Sequence, residues 1–115
     1  MDYYKLINKT PVKCSYDEYH SDITSQDRLI KLTLIERYKI STAFLGVNHE
    51  FRRERPPMLF ETAIFDLTAE RETKIYDRYS TYQDAEIGHD LAVAGMLIQI
   101  CDVNQWIFRN HDKHT

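Results

Sequence analysis

A chain of 115 residues that is 43% hydrophobic and 12% aromatic is long enough to bury one core and too apolar to stay disordered. Its 15 basic and 18 acidic residues give a formal charge of -3 and a pI near 5.9. That balance is too mild for a nucleic-acid binder or an acidic nucleic-acid mimic. Two cysteines, Cys14 and Cys101, are too few for a zinc site and read as free thiols in a reducing compartment.

The first residues, Met-Asp-Tyr-Tyr-Lys, lack a signal-peptide pattern. The longest apolar run, Leu91 to Ile98, falls far short of the roughly 20 residues a membrane span needs. The expectation is a single cytoplasmic domain, residues 1–115, with a loosely ordered end at 109–115.

In chain order, Tyr3 to Val12 reads as a short edge strand broken at Pro11. Lys13 to Asp27 is polar and reads as a long loop or one irregular helical turn. Arg28 to Arg37 alternates, with Ile30, Leu32 and Leu34 on one face and Lys31 and Thr33 on the other, as in a half-buried strand. Tyr38 to Val47 is a second strand, close enough to pair with the first as a hairpin. A charged loop follows, Asn48 to Pro57. Its Arg52, Arg53 and Arg55 suit either a solvated loop or contact with a phosphate or an acidic partner.

Met58 to Phe65 is apolar on both faces and so reads as a central strand. A polar turn separates it from a fourth strand, Thr73 to Tyr79. Thr81 with Asp84 three residues on approximates a capping box and starts a helix at Tyr82 that runs to about Cys101. Along it Ala85, Gly88, Ala92 and Gly95 line one face, predicting close approach of the helix to a bulky sheet surface. Beyond it come Trp106, Ile107 and Phe108, then a polar end. The fold class is therefore α+β: an antiparallel sheet of about four or five strands with one long helix on one face. The second face of the central strand needs cover from the N-terminal segment, the Trp106 tail or another subunit.

Glu61 and Thr62 interrupt the two apolar faces of the central strand, and a carboxylate in that setting needs a partner, for which Arg78 is available. His89 flanks the small-residue stripe, and His49 opens the Arg loop. Glu86 and His89 have the E-x-x-H spacing of di-metal helices, but no second such motif exists and no metal or cofactor is expected. Ser41 has no nucleophile elbow around it, and no phosphate-binding glycine loop is present.

Three segments carry a resemblance: Ile-Ser-Thr-Ala-Phe-Leu-Gly-Val-Asn-His-Glu-Phe (40–51), Pro-Met-Leu-Phe-Glu-Thr-Ala-Ile-Phe (57–65) and Asp-Arg-Tyr-Ser-Thr-Tyr-Gln-Asp-Ala-Glu-Ile-Gly-His (77–89). The set, about half the chain, resembles a family of small proteins encoded in tailed bacteriophages and prophages. Asn48 stands where Asp is usual in that family, and Ala63 where Met is. The resemblance implies a binding site built from Thr42, His49, Glu61, Thr62, Arg78, Tyr79, Glu86 and His89. The family is one of unknown function; small size, the lack of a catalytic signature and the phage-like resemblance together favour an accessory protein acting by binding in the bacterial cytoplasm, most simply in counter-defence. Its partner would be a host protein or a nucleotide-like small molecule, with neither nucleic acid nor membrane involved and self-association expected. The alternatives are a small hydrolase or metal-dependent enzyme using His49, Glu61 and His89, and a phage regulatory or assembly protein.

Overall fold

The computed structural model describes residues 1–25, 28–48, 56–69 and 74–112. Within them β1 (Tyr3–Ile7) and β2 (Thr10–Cys14) form a hairpin, followed by α1 (Tyr16–Ser25). Then come β3 (Leu29–Ile35), β4 (Tyr38–Phe44), β5 (Phe60–Asp66), β6 (Lys74–Tyr79) and α2 (Tyr82–Asp112). The last four strands make one antiparallel sheet in the order β3-β4-β5-β6, and α2 packs across it. The α+β architecture of one four-stranded sheet and one long helix is as the periodicity predicts, with a second, two-stranded sheet and a second helix added.

Both additions have local causes. Asn8 and Lys9 both adopt positive φ, at 50° and 67°, which folds Tyr3 to Cys14 into a two-residue hairpin rather than one strand. Pro11 sits opposite Leu6 on the outer strand of that hairpin, where a missing N–H is tolerated. The segment expected as a loop is the ten-residue helix α1. Ser15 caps it, accepting from the Glu18 backbone N–H at 3.2 Å, and Asp17 and Glu18 place negative charge at its positive end.

The hairpin and α1 dock on the end of the main sheet. Tyr4 N–H donates to Gly46 O, and Tyr3 bridges Val47. Arg28 stands at the junction between the Tyr19 and Phe44 rings, donating to Leu45 O at 2.9 Å and Tyr19 O at 3.4 Å. Gly46 has φ 73°, and a Cβ there would lie 2.7 Å from Arg28 Nη1, so glycine is required twice over. The core gathers Phe44, Leu59, Phe60, Tyr79 and Ala85, with Tyr4, Leu6, Ile30 and Tyr82 around it.

Strand β3 does not face as its alternation suggests. A bulge between Leu29 and Lys31 takes Ile30 out of the alternation, and Ile30 packs on the core. Thr33 then points toward α2, while Leu32 and Leu34 turn to the opposite face, 49% and 64% exposed. The inner strands β4 and β5 behave as read, with Ile40, Thr42, Phe44, Phe60 and Thr62 buried under the helix.

Helix α2 begins at Tyr82 as expected, with Thr81 Oγ1 accepting from the Asp84 backbone N–H at 3.0 Å. It continues to Asp112, and the Trp106 segment lies within the helix; the last residues of the end expected to be loose, 113–115, lie outside the described residues. The small-residue stripe divides. Ala85, Gly88 and Ala92 are buried against the sheet, but Gly95 is exposed, with nothing among the described residues within 4 Å of a Cβ placed there. Close packing is thus the reason for Gly88 and not for Gly95. Gly95→Ala should raise the monomer's stability by about 1 kcal/mol through helix propensity alone. A urea melt in dilute protein with an unchanged or lower midpoint would contradict that placement.

Candidate functional site

Six of the polar residues singled out in the sequence fall into two groups on opposite sides of the sheet. Beneath α2, His89 sits between Thr42 and Thr33, with Thr62 bonded to Thr42 behind it. Its Nδ1 lies 2.7 Å from Thr42 Oγ1 and its Nε2 lies 2.8 Å from Thr33 Oγ1, and Thr42 Oγ1 is 2.5 Å from Thr62 Oγ1. Thr42 and Thr62 face each other in register on β4 and β5, and Thr33 comes from β3. His89 is 1% exposed and both threonines of the inner strands are fully buried.

Every link of the chain Thr62–Thr42–His89–Thr33 has a donor and an acceptor whichever way the protons run, so a neutral imidazole satisfies it completely. Burial pulls the His89 pKa below its ordinary value, and the Lys31 ammonium pulls the same way, with Asp90 opposing. Lys31 and Asp90, the latter next in sequence to His89, pair with each other at 3.0 Å on the surface.

Tyr79 completes the buried side. Its ring lies directly on Gly88, where a Cβ would meet Cζ at 2.1 Å. Burial pushes its phenol up; the Thr62 hydroxyl is near enough to oppose that shift but not in hydrogen-bond geometry with Tyr79 Oη, which has no partner among the described residues. A hydroxyl against an imidazole, as in Thr42–His89, is the beginning of a nucleophile–base pair. Here neither atom can be reached by a substrate, so the geometry ties the helix to the sheet instead.

Glu61 and Arg78 lie on the other face. They pair across β5 and β6 in register, with Arg78 Nε donating to Glu61 Oε2 at 3.0 Å. The carboxylate has therefore found the partner that its position demanded. Because Glu61 and Thr62 are consecutive on one strand, their side chains point to opposite faces. The single cluster implied by the resemblance is thus divided: Thr42, Thr62, Tyr79 and His89 on the helix side, Glu61 and Arg78 on the open side.

Glu86 belongs to neither group. It lines an open depression of about 540 Å³ between the Asn8–Lys9 turn and the first turn of α2, so Glu86 and His89 do not converge as their spacing suggests. His49, with Arg52, Arg53 and Arg55, lies outside the described residues. Among the described residues no three His, Cys, Asp or Glu side chains gather as a metal site would require, and both cysteines are free. No helix among them is long and apolar enough to cross a membrane.

Around the Glu61–Arg78 pair the open face mixes apolar residues with Ser41 and Lys39 of β4. Register places Leu32 and Leu34 of β3, Ala63 and Phe65 of β5 and Ile75 of β6 on it. The Lys39 ammonium lies 4.3 Å from the centre of the Phe65 ring. The N-terminal hairpin packs Tyr4 and Leu6 against the core at the strand ends instead of covering this face. Thr33 and the leucines beside it were read as strand residues but not as part of a site; the signal, a lone polar residue between leucines, was visible but its facing depended on the bulge. No family model matches the chain, and no curated protein or solved structure does either.

Proposed function

We propose that this chain is a phage- or prophage-encoded accessory protein that acts in the bacterial cytoplasm by binding a host protein, with counter-defence as the outcome. The phage assignment rests on the three motif segments at 40–51, 57–65 and 77–89. The binding assignment rests on one observation, the contrast between the two sheet faces. The helix side holds a closed, internally satisfied polar network. The open side presents exposed leucines and Ile75 around an ion pair in which Arg78 is partly exposed and Glu61 mostly covered, the mixture of apolar core and polar anchor that suits a protein partner.

The small-hydrolase alternative needs Glu61 and His89 on one substrate, and they lie on opposite faces of β5. Sequestering a nucleotide-like molecule would need an entrance to the Thr42–His89 network, which has none among the described residues.

The test is a double variant, Leu34→Glu with Ile75→Glu, compared with wild type for rescue of phage plating on defence-carrying hosts. Both positions are largely exposed, so the melting curve should move by no more than about 0.5 kcal/mol, while plating rescue should be lost. Full rescue by the double variant would remove the open face from the function. Mass spectrometry of small molecules released from the purified protein checks the nucleotide alternative directly.

A further inference from the structure

Helix α2 is longer than the sheet can use. Its 31 residues span about 46 Å, whereas seven-residue strands reach only about 23 Å. It enters the sheet at its own N-terminus, beside Tyr79, so the excess lies toward its C-terminal end. Over the same stretch, Leu91 to Cys101 carry no charge. The sheet-facing side of that stretch is taken by Ala92, with Val93, Met96 and Ile100 half-buried.

The outward side carries its own stripe. Ile87, Leu91, Ala94, Ile98 and Cys101 follow one another at intervals of 4, 3, 4 and 3, the heptad spacing of a helix–helix seam. All are exposed, Leu91 at 60% and Ile98 at 61%. This is a surface distinct from the open sheet face, and nothing in the proposed function depends on it.

We infer that α2 pairs antiparallel with α2 of a second copy of this chain along the seam Ile87–Leu91–Ala94–Ile98–Cys101. The occupant follows from the seam's own symmetry. A two-fold axis brings a residue against itself at its centre and exchanges the others in pairs. With the axis at Ala94, Leu91 of each copy meets Ile98 of the other, and Ile87 meets Cys101. Leu91 and Ile98 fill the space on either side of the axis, and the small Ala94, with Gly95 at the edge of the seam, sits where the helices come closest. The two helices form the middle of a β-α-α-β arrangement, and both open sheet faces remain outside.

The native Cys101 makes the geometry testable. In a Cys14→Ser background, Ile87→Cys should form intermolecular disulfides with Cys101 under mild oxidation, giving a reducible dimer on a gel. The same background without Ile87→Cys should stay uncrosslinked, because in the antiparallel pair the two Cys101 residues are about 21 Å apart along the axis. Sedimentation of the unmodified chain should give twice the 13.7 kDa of one copy. Leu91→Glu with Ile98→Glu, and separately Gly95→Leu, should return it to a monomer with an unchanged circular dichroism spectrum. A monomer for the wild-type chain at tens of micromolar, in the weak-contact range, would overturn the proposal. So would a Cys101–Cys101 disulfide, or a dimer that survives both sets of substitutions.

Discussion

Replacing Gly88 with alanine should destabilise the fold by about 1 to 3 kcal/mol, although alanine is the better helix former by about 1 kcal/mol. The added methyl would lie 2.1 Å from Tyr79 Cζ and 2.2 Å from both Cε1 and Oη. The whole rigid ring must then move, not merely its tip. Tyr79 is buried and belongs to the same core cluster as Phe60 and Ala85, so the ring has two exits. It can push the helix off the sheet, or it can swing out past β6 and give up its burial. Either loses more than helix propensity returns.

The check is a double-mutant cycle by chemical denaturation. If the ring is the obstacle, Gly88→Ala should cost much less in a Tyr79→Leu background, with a coupling of about 0.5 to 3 kcal/mol as expected for residues in direct contact. Additive effects would mean that the two residues do not touch as described.

Gly88 and Gly95 also mark how far a sequence can be read. Both fall on one helical stripe with Ala85 and Ala92, and periodicity treats them alike. What separates them is where the sheet stops beneath the helix, a tertiary fact with no local signal. The start of α2 was legible because Thr81 and Asp84 act within one turn of each other. The inner strands were legible because β4 and β5 are apolar where they meet the helix. Strand β3 misled because one bulged residue, Ile30, reverses the facing of everything after it, so that Thr33 and not Leu32 looks at His89.

The hairpin at Asn8 was hidden because Lys9 occupies a positive-φ position where glycine would have announced the turn. Helix α1 did carry a legible cue, Ser15 followed by Glu18, outweighed by the polar composition around it. The candidate site was half legible. Each polar residue was out of character for a reason, but strand alternation at Glu61 and Thr62 sends those reasons to opposite faces.

The stability of the protein should fall on acidification below about pH 6.5, the ordinary histidine value, and much of that fall should vanish in His89→Gln. The sign follows from the direction of the shift. The folded state holds the His89 pKa below its unfolded value, because burial and Lys31 both disfavour the imidazolium. The unfolded chain therefore takes up its proton first as the pH drops. The contribution is complete above about pH 6.5 and is lost as pH falls from there toward the folded pKa.

Urea melts at about pH 8 and about pH 5 for both proteins isolate the effect, since the other titrating groups are common to the pair. A pH dependence identical in the two would show that His89 is not held neutral. Thr42→Val separates the hydrogen bonds from the charge. It keeps the shape of the side chain but leaves His89 Nδ1 and the Thr62 hydroxyl without their shared partner, both of them buried. The expected cost is about 1 to 3 kcal/mol for each group left unsatisfied, at every pH. With the open sheet face untouched, that variant should still rescue phage plating at temperatures where it remains folded. Loss of rescue in fully folded Thr42→Val would move the working site from the open face to the network beneath the helix.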